Sequence, residues 1–178
     1  MKYSTKYSDA IHILAYIEML KGTDLSSDRI AQSVETNPAY VRRIMSDLRT
    51  AGLIESQRGK AEPKLLKKPE EITLLDIYSS VEKDQRLLHI DKKTNPNCLI
   101  GGSIQEVLDE TYERLQKKIE LEMQQITLAD IIDKLNVAAE KWRETAPFQK
   151  QMLDEKELSF YNQHVTLKVT CIFLHVQV

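Results

Sequence analysis

Cysteine is nearly absent. Only Cys98 and Cys171 occur in 178 residues, too few for the disulfide framework of a small secreted fold, so a reducing cytoplasm fits best. No run of about 18 apolar residues exists, which argues against a helix across a membrane. His12 and Glu18 interrupt the stretch after Met1-Lys2-Tyr3-Ser4-Thr5-Lys6, so no secretory leader is expected. Glycine is scarce too, with five residues. No Gly-rich phosphate loop, nucleophile elbow or paired-carboxylate motif stands out, and Gly101-Gly102 is too short to mean phosphate binding. His12, His89, His164 and His175 show no metal-ligand spacing with the cysteines. No internal repeat is apparent. Nothing beyond a lone thiol supports an enzyme, and neither a cofactor nor a metal is expected.

What is present is charge, unevenly placed. Residues 1–69 hold 12 Lys/Arg against 8 Asp/Glu, a balance of +4, whereas residues 70–178 hold 13 against 19, a balance of −6. The cations gather on the segment with the clearest pattern, as a phosphate-facing surface requires. In that segment Ser26 or Ser27 can cap a helix carrying Ile30, Ala31 and Val34 inward. Asn37 can cap the next helix, with Pro38 at its first position, where a missing N–H costs nothing. Val41, Ile44, Met45 and Leu48 form a buried stripe there. Gly52 ends the helix. A short strand from Leu53, a loop Arg58-Gly59-Lys60-Ala61-Glu62-Pro63 and a return strand from Lys64 to Lys68 come next.

Helix, tight turn, helix and basic hairpin is the order that presents one helix to the major groove and a wing beside it. The side chains expected to meet DNA are Asn37, Ala39, Tyr40, Arg42, Arg43 and Ser46 on the helix and Arg58, Lys60 and Lys64 on the wing. Arginine can pair two hydrogen bonds with guanine. The competing reading is a set of solvated charges on an ordinary helical domain.

Elsewhere, a first helix is predicted from about Ser8 to Leu20, and Thr73 can cap a short one from Leu74 to about Val81. His12 is expected in the core or at an interface. Leu87–Ile90 reads as a short strand. The longest helical pattern runs from about Leu99 to Gln125, with Ile100, Ile104, Leu108, Leu115 and Ile119 recurring on one side. At about 40 Å it exceeds what a domain this small needs, so its apolar side must meet another chain or fold back. A short helix to about Leu135 is expected next. The tail holds candidate helices at Ala138–Arg143 and Phe148–Leu158, then a strand-like stretch from His164 to Val178.

Several motifs in order resemble the Rrf-two family of bacterial winged helix-turn-helix transcription regulators. They are Tyr7-Ser8-Asp9-Ala10, Ile30-Ala31, Asn37-Pro38-Ala39-Tyr40-Val41-Arg42-Arg43-Ile44 and Leu48-Arg49-Thr50-Ala51-Gly52-Leu53-Ile54. Arg58-Gly59, Pro69-Glu70-Glu71-Ile72-Thr73-Leu74-Leu75-Asp76-Ile77-Tyr78 with Val81-Glu82, and Asn95-Pro96-Asn97-Cys98 before Ile104-Gln105 complete the set. The resemblance covers about residues 1–135. It implies a homodimer joined through the long helix, two recognition helices on a palindromic operator in double-stranded DNA, and Arg58 as the minor-groove cation.

Two departures stand out. Family wings often continue into Gly-Gly-Tyr, where this chain has Lys60-Ala61-Glu62-Pro63-Lys64. Cluster-binding members carry three cysteines before the long helix, where this chain has Cys98 alone, so no iron–sulfur cluster is expected. Cys98, placed at the positive end of the long helix, is a candidate sensor of oxidants or electrophiles, or else an idle packed thiol.

The expectation is therefore a mainly α fold with a small β wing, a winged helix-turn-helix plus a long C-terminal dimerisation helix. Its parts are a DNA-binding domain at 1–82, a connecting loop at 83–98, the dimerisation helix and a following short helix at 99–135, and an extension at 136–178. The function expected is a cytoplasmic DNA-binding regulator, a repressor without a membrane partner. The alternative is a winged-helix adaptor that reads no DNA.

Overall fold

Local capping chemistry sets where most of the helices begin. The computed structural model describes residues 5–55 and 62–145. Helix α1 spans Lys6–Met19. Ala10, Ile13, Leu14 and Ile17 on one side are buried, the spacing of a single helical face. Helix α2, Ser27–Val34, starts where the Ser26 hydroxyl accepts the Arg29 N–H. Helix α3, Pro38–Thr50, starts where the Asn37 side chain accepts the Tyr40 N–H at 2.9 Å. Val41, Ile44 and Leu48 are fully buried, while Met45 packs at the edge of the core. Gly52 takes a left-handed φ of 71° just past α3.

Strands β1 (Ile54–Glu55) and β2 (Lys64–Leu65) pair antiparallel, Ile54 opposite Leu65 and Glu55 opposite Lys64. They form the root of the expected wing, and the return strand expected over Lys64–Lys68 is confined to Lys64–Leu65. A 3-10 turn, Pro69–Glu71, leads to helix α4, Leu74–Val81. Mainly helical architecture with a small two-stranded sheet agrees with the expected fold class.

The second half departs from expectation at three places. Helix α5 spans Ile104–Gln125, so it begins five residues later than the apolar pattern implies. A Cβ on Gly101 would strike the carbonyl oxygen of Asn95, and one on Gly102 would lie 3.0 Å from that of Pro96. This close turn holds residues 99–103 out of the helix. Ile100 thus precedes α5 and is 70% exposed. Residues 87–90 form no strand. They belong to a strap that runs back along α5, held by side chains instead of a neighbouring strand. Gln116 binds both the Leu87 N–H and the Gln85 carbonyl, Arg86 pairs with Asp109, and Gln105 reaches the Asp91 carbonyl. Finally, α6 is one continuous helix, Leu128–Thr145, in place of two short ones.

Helix α6 returns from the arm, formed by α5, to the head, the bundle of α1–α4. Leu128 and Ile132 join the cluster formed by α1, α3 and α4. The junction is a small two-stranded tie: Thr73 bridges Thr127, the Leu74 N–H bonds Ile126 O, and the Leu128 N–H bonds Ile72 O at 2.8 Å. Both sides carry the same pattern, Ile72-Thr73-Leu74-Leu75-Asp76-Ile77 and Ile126-Thr127-Leu128-Ala129-Asp130-Ile131. Both make the same box, Thr73 with Asp76 and Thr127 with Asp130, in which each side chain serves the other residue's backbone N–H. The expectation of no internal repeat is corrected to that extent. The tail beyond residue 145, with its expected helix at Phe148–Leu158 and strand from His164, lies outside the described residues.

Candidate nucleic-acid interface

The turn between α2 and α3 is built from three residues. Glu35 sits at φ 57°, the left-handed region, and the Thr36 N–H returns to Ala31 O at 2.9 Å. That closure lets α3 leave α2 at an angle with both helix ends satisfied. Because Val41, Ile44 and Leu48 point inward, the three- and four-residue spacing puts Ala39, Arg42, Arg43, Ser46 and Arg49 on the outward face. Ala39, Arg42, Arg43 and Arg49 are exposed and Ser46 is half-buried.

Each of these side chains has a defined place. Arg42 donates to the Ser27 hydroxyl at 2.8 Å, which lays it across the start of α2. Arg49 donates to the Ser46 hydroxyl at 3.5 Å. Arg43 makes no hydrogen bond or ion pair among the described residues and projects outward. Asn37 is exposed but occupied as the cap of α3. Tyr40 turns the other way: its ring packs on the core and its hydroxyl donates to the Asp9 carboxylate at 3.0 Å. Burial and then that carboxylate push the Tyr40 hydroxyl pKa up.

Lys64 is exposed on β2, with Lys67 and Lys68 exposed just beyond it. These three and Lys21 surround an open cleft of about 470 Å³ between the end of α1 and the return strand. Arg58 and Lys60, the expected wing tip, lie outside the described residues.

Sequence reasoning misses a set of polar contacts beneath α3. Lys6, at the first position of α1, donates to Asp47 of α3 at 2.7 Å and to the Val81 carbonyl of α4. A cation at the positive end of a helix is disfavoured unless something offsets it. That local conflict is the signal that could have found them. His12, expected in the core or at an interface, is not in the core: it is exposed and bonds the Ser33 hydroxyl at 2.9 Å.

Cys98 is exposed, in the turn before α5 and not at the helix terminus. The backbone N–H of Gly101, then that of Ile100, lower its thiol pKa. The turn therefore supplies the effect expected of the helix end.

Comparison with known proteins matches this geometry. The family model for Rrf2, described as "Iron-dependent Transcriptional regulator", matches residues 3–134. The Bacillus subtilis (strain 168) protein described as "Putative HTH-type transcriptional regulator YwnA" is 39% identical over 132 residues, 74% of this chain and 98% of that protein. Two solved structures share the fold. CymR (YrzC), the global cysteine regulator of B. subtilis, is 25% identical with a TM-score of 0.55, over 75% of this chain and 97% of that one. T. potens IscR is 25% identical with a TM-score of 0.57, over 78% and 90%.

Iron in the family's description raises the matter of ligands. Cys98 is the one cysteine among the described residues, and no group of three His, Cys, Asp or Glu side chains among them could hold a metal ion. A single exposed cysteine does not fit a cluster that needs several thiolates. With an arginine-bearing helix on a capped turn, a basic return strand and a family match over three quarters of its length, the chain belongs to the Rrf2 family of transcriptional regulators.

Proposed function

We propose that this protein is a cytoplasmic, homodimeric repressor that reads a palindromic operator in double-stranded DNA without an iron–sulfur cluster. The observation that carries the reading is the outward face of α3. Its arginines sit opposite a fully buried stripe, and the return strand that follows carries Lys64 exposed, with Lys67 and Lys68 exposed just beyond it. In this reading α3 enters the major groove, with Arg42 and Arg43 on base edges or phosphate and Ala39 allowing close approach. Asn37 and Ser46 flank them, and Tyr40 acts from behind by holding the helix. Arg58, Lys60 and Lys64 place the wing on the neighbouring backbone.

The dimer reading is supported by α5, none of whose residues is buried. Leu115 and Ile119 are exposed and Ile104 and Leu108 half-buried, all on one side of the helix. A second copy packed there would cover them. Ile100, in the turn ahead of the helix, is also exposed and is proposed as part of the same contact.

Cys98 is the receiving site for oxidants or electrophiles in this reading. Its thiol is exposed and its pKa lowered, which favours the thiolate that reacts with either. Selection of bound sequences from random DNA, with and without peroxide or a quinone, tests the whole. A palindrome should be enriched, and oxidant should weaken its binding by the wild type but not by Cys98→Ser. If no sequence is enriched, or Arg43→Ala and Arg58→Ala bind DNA as the wild type does at moderate salt, the protein is a winged-helix adaptor instead.

A further inference from the structure

The geometry points to Lys6 and Asp47 as positioning residues that set the angle of the recognition helix against the dimer arm, and so the half-site spacing the protein accepts. The inference rests on the DNA-reading dimer proposed above.

The first turn of α1 reaches both ends of two helices. Lys6 binds Asp47, in the last part of α3, and the carbonyl of Val81, the last residue of α4. Asp9 accepts the hydroxyl of Tyr40, in the first turn of α3. Tyr7 donates to the carbonyl of Leu74, the first residue of α4, at 3.1 Å. Its ring also meets Tyr78 edge-on, with centroids 5.4 Å apart. Two points fix the direction of a rod, and both α3 and α4 are held at two points by one turn of α1.

Helix α4 is in turn tied to the arm through the Thr73–Thr127 bridge. The orientation of α3 is thereby referred to the α5–α6 junction through one small polar set. The Lys6 side chain is only 18% exposed and that of Asp47 35%, so the pair is partly shielded from competing water. Lys6 hydrogen-bonds to both α3 and α4. Across a two-fold dimer, successive base pairs rotate the half-site as well as displace it. A change in the angle of α3 must therefore appear as a change in the preferred separation of half-sites.

The test uses the full-length protein. Operators are selected with the wild type, and affinities are then measured for the best operator and for versions with the centre lengthened or shortened by one base pair. Lys6→Met and Asp47→Asn should reduce the preference for the selected spacing by about threefold or more, the scale of coupling within a shared network. Lys6→Arg, which keeps the ion pair, should retain it. Circular dichroism checks each fold. Asp47→Asn keeps the size and shape of the side chain, so it decides the matter if Lys6→Met does not fold. A purely structural role would lower affinity for all three spacings equally and leave their ratio unchanged, and that result overturns the inference. No enrichment by the wild type would overturn the DNA reading, and this inference with it.

Discussion

Leu128→Ala asks whether α6 is part of the DNA-binding head. Leu128 is fully buried with Ile72 and the α1 and α4 residues around it. The substitution removes three carbon atoms, worth about 0.8 kcal/mol each in lost transfer free energy, or about 2.4 kcal/mol. The residual cavity raises the cost to roughly 3–4 kcal/mol, within the range measured for buried leucines. For a chain of this size the midpoint should fall by roughly 6–16 °C. The assay is thermal unfolding at fixed protein concentration, because association shifts apparent stability. Two probes are followed together. Far-UV circular dichroism reports all helices, while the fluorescence of Trp142, the only tryptophan, reports α6. Both transitions should move together, as one cooperative unit requires. Leu99→Ala, at a residue 89% exposed, should cost less than about 0.5 kcal/mol. If Leu128→Ala shifts fluorescence but leaves the main dichroism transition in place, α6 is an appendage and the account of the core is wrong.

Other expectations come from single contacts. Arg43→Ala should weaken operator binding and flatten its salt dependence by about one unit of slope if Arg43 meets a phosphate, read by fluorescence anisotropy across a salt series. Thr73→Val and Thr127→Val should each destabilise by about 1 kcal/mol through loss of a cap, measured by urea unfolding; no loss in either would remove the paired boxes as a stabilising device. Alkylation of Cys98 should show a pH midpoint below that of a free cysteine, because the Gly101 and Ile100 N–H groups favour the thiolate. Reactivity rises as pH climbs through the thiol pKa, so the excess over an ordinary thiol should be largest below that ordinary pKa. Gly101→Ala, forced away from Asn95, should raise the midpoint again. If α5 joins the proposed dimer, the wild type should sediment as a dimer and Leu115→Asp with Ile119→Asp as a monomer.

Helix starts are legible in the sequence because their causes are local. Ser26, Asn37-Pro38 and Thr73 each announce a cap within three residues, and each caps as expected. The outward face of α3 is legible for the same reason, since Val41, Ile44 and Leu48 fix its rotation. Contacts decided far along the chain are not. Leu87–Ile90 has the composition of a strand, yet Gln116, 29 residues on from Leu87, holds it as a strap. The start of α5 turns on the approach of Gly101 to Asn95, which apolar periodicity does not register. Asn136 suggests a break, but one asparagine costs a helix interior only several tenths of a kcal/mol, and α6 runs through it. Tyr40 reads as facing DNA because nothing in the sequence announces Asp9 as its partner. The two Ile-Thr-Leu-x-Asp-Ile copies are too short to register as a repeat, although they join the head to the arm.

The strap along α5 separates two ends of the molecule. Cys98 sits at one end, ahead of the first residue of a 22-residue helix. At the other, residues 126–128 pair with the start of α4. A helix of that length is about 33 Å long. Used as a lever, it turns a tilt of about 6° into a displacement of roughly 3.4 Å, the axial rise of one base-pair step. In the proposed dimer, a small rearrangement of the turn at one end of that lever would be enlarged at the other. An adduct at Cys98 would then need to unfold nothing to put the two recognition helices out of register with their operator.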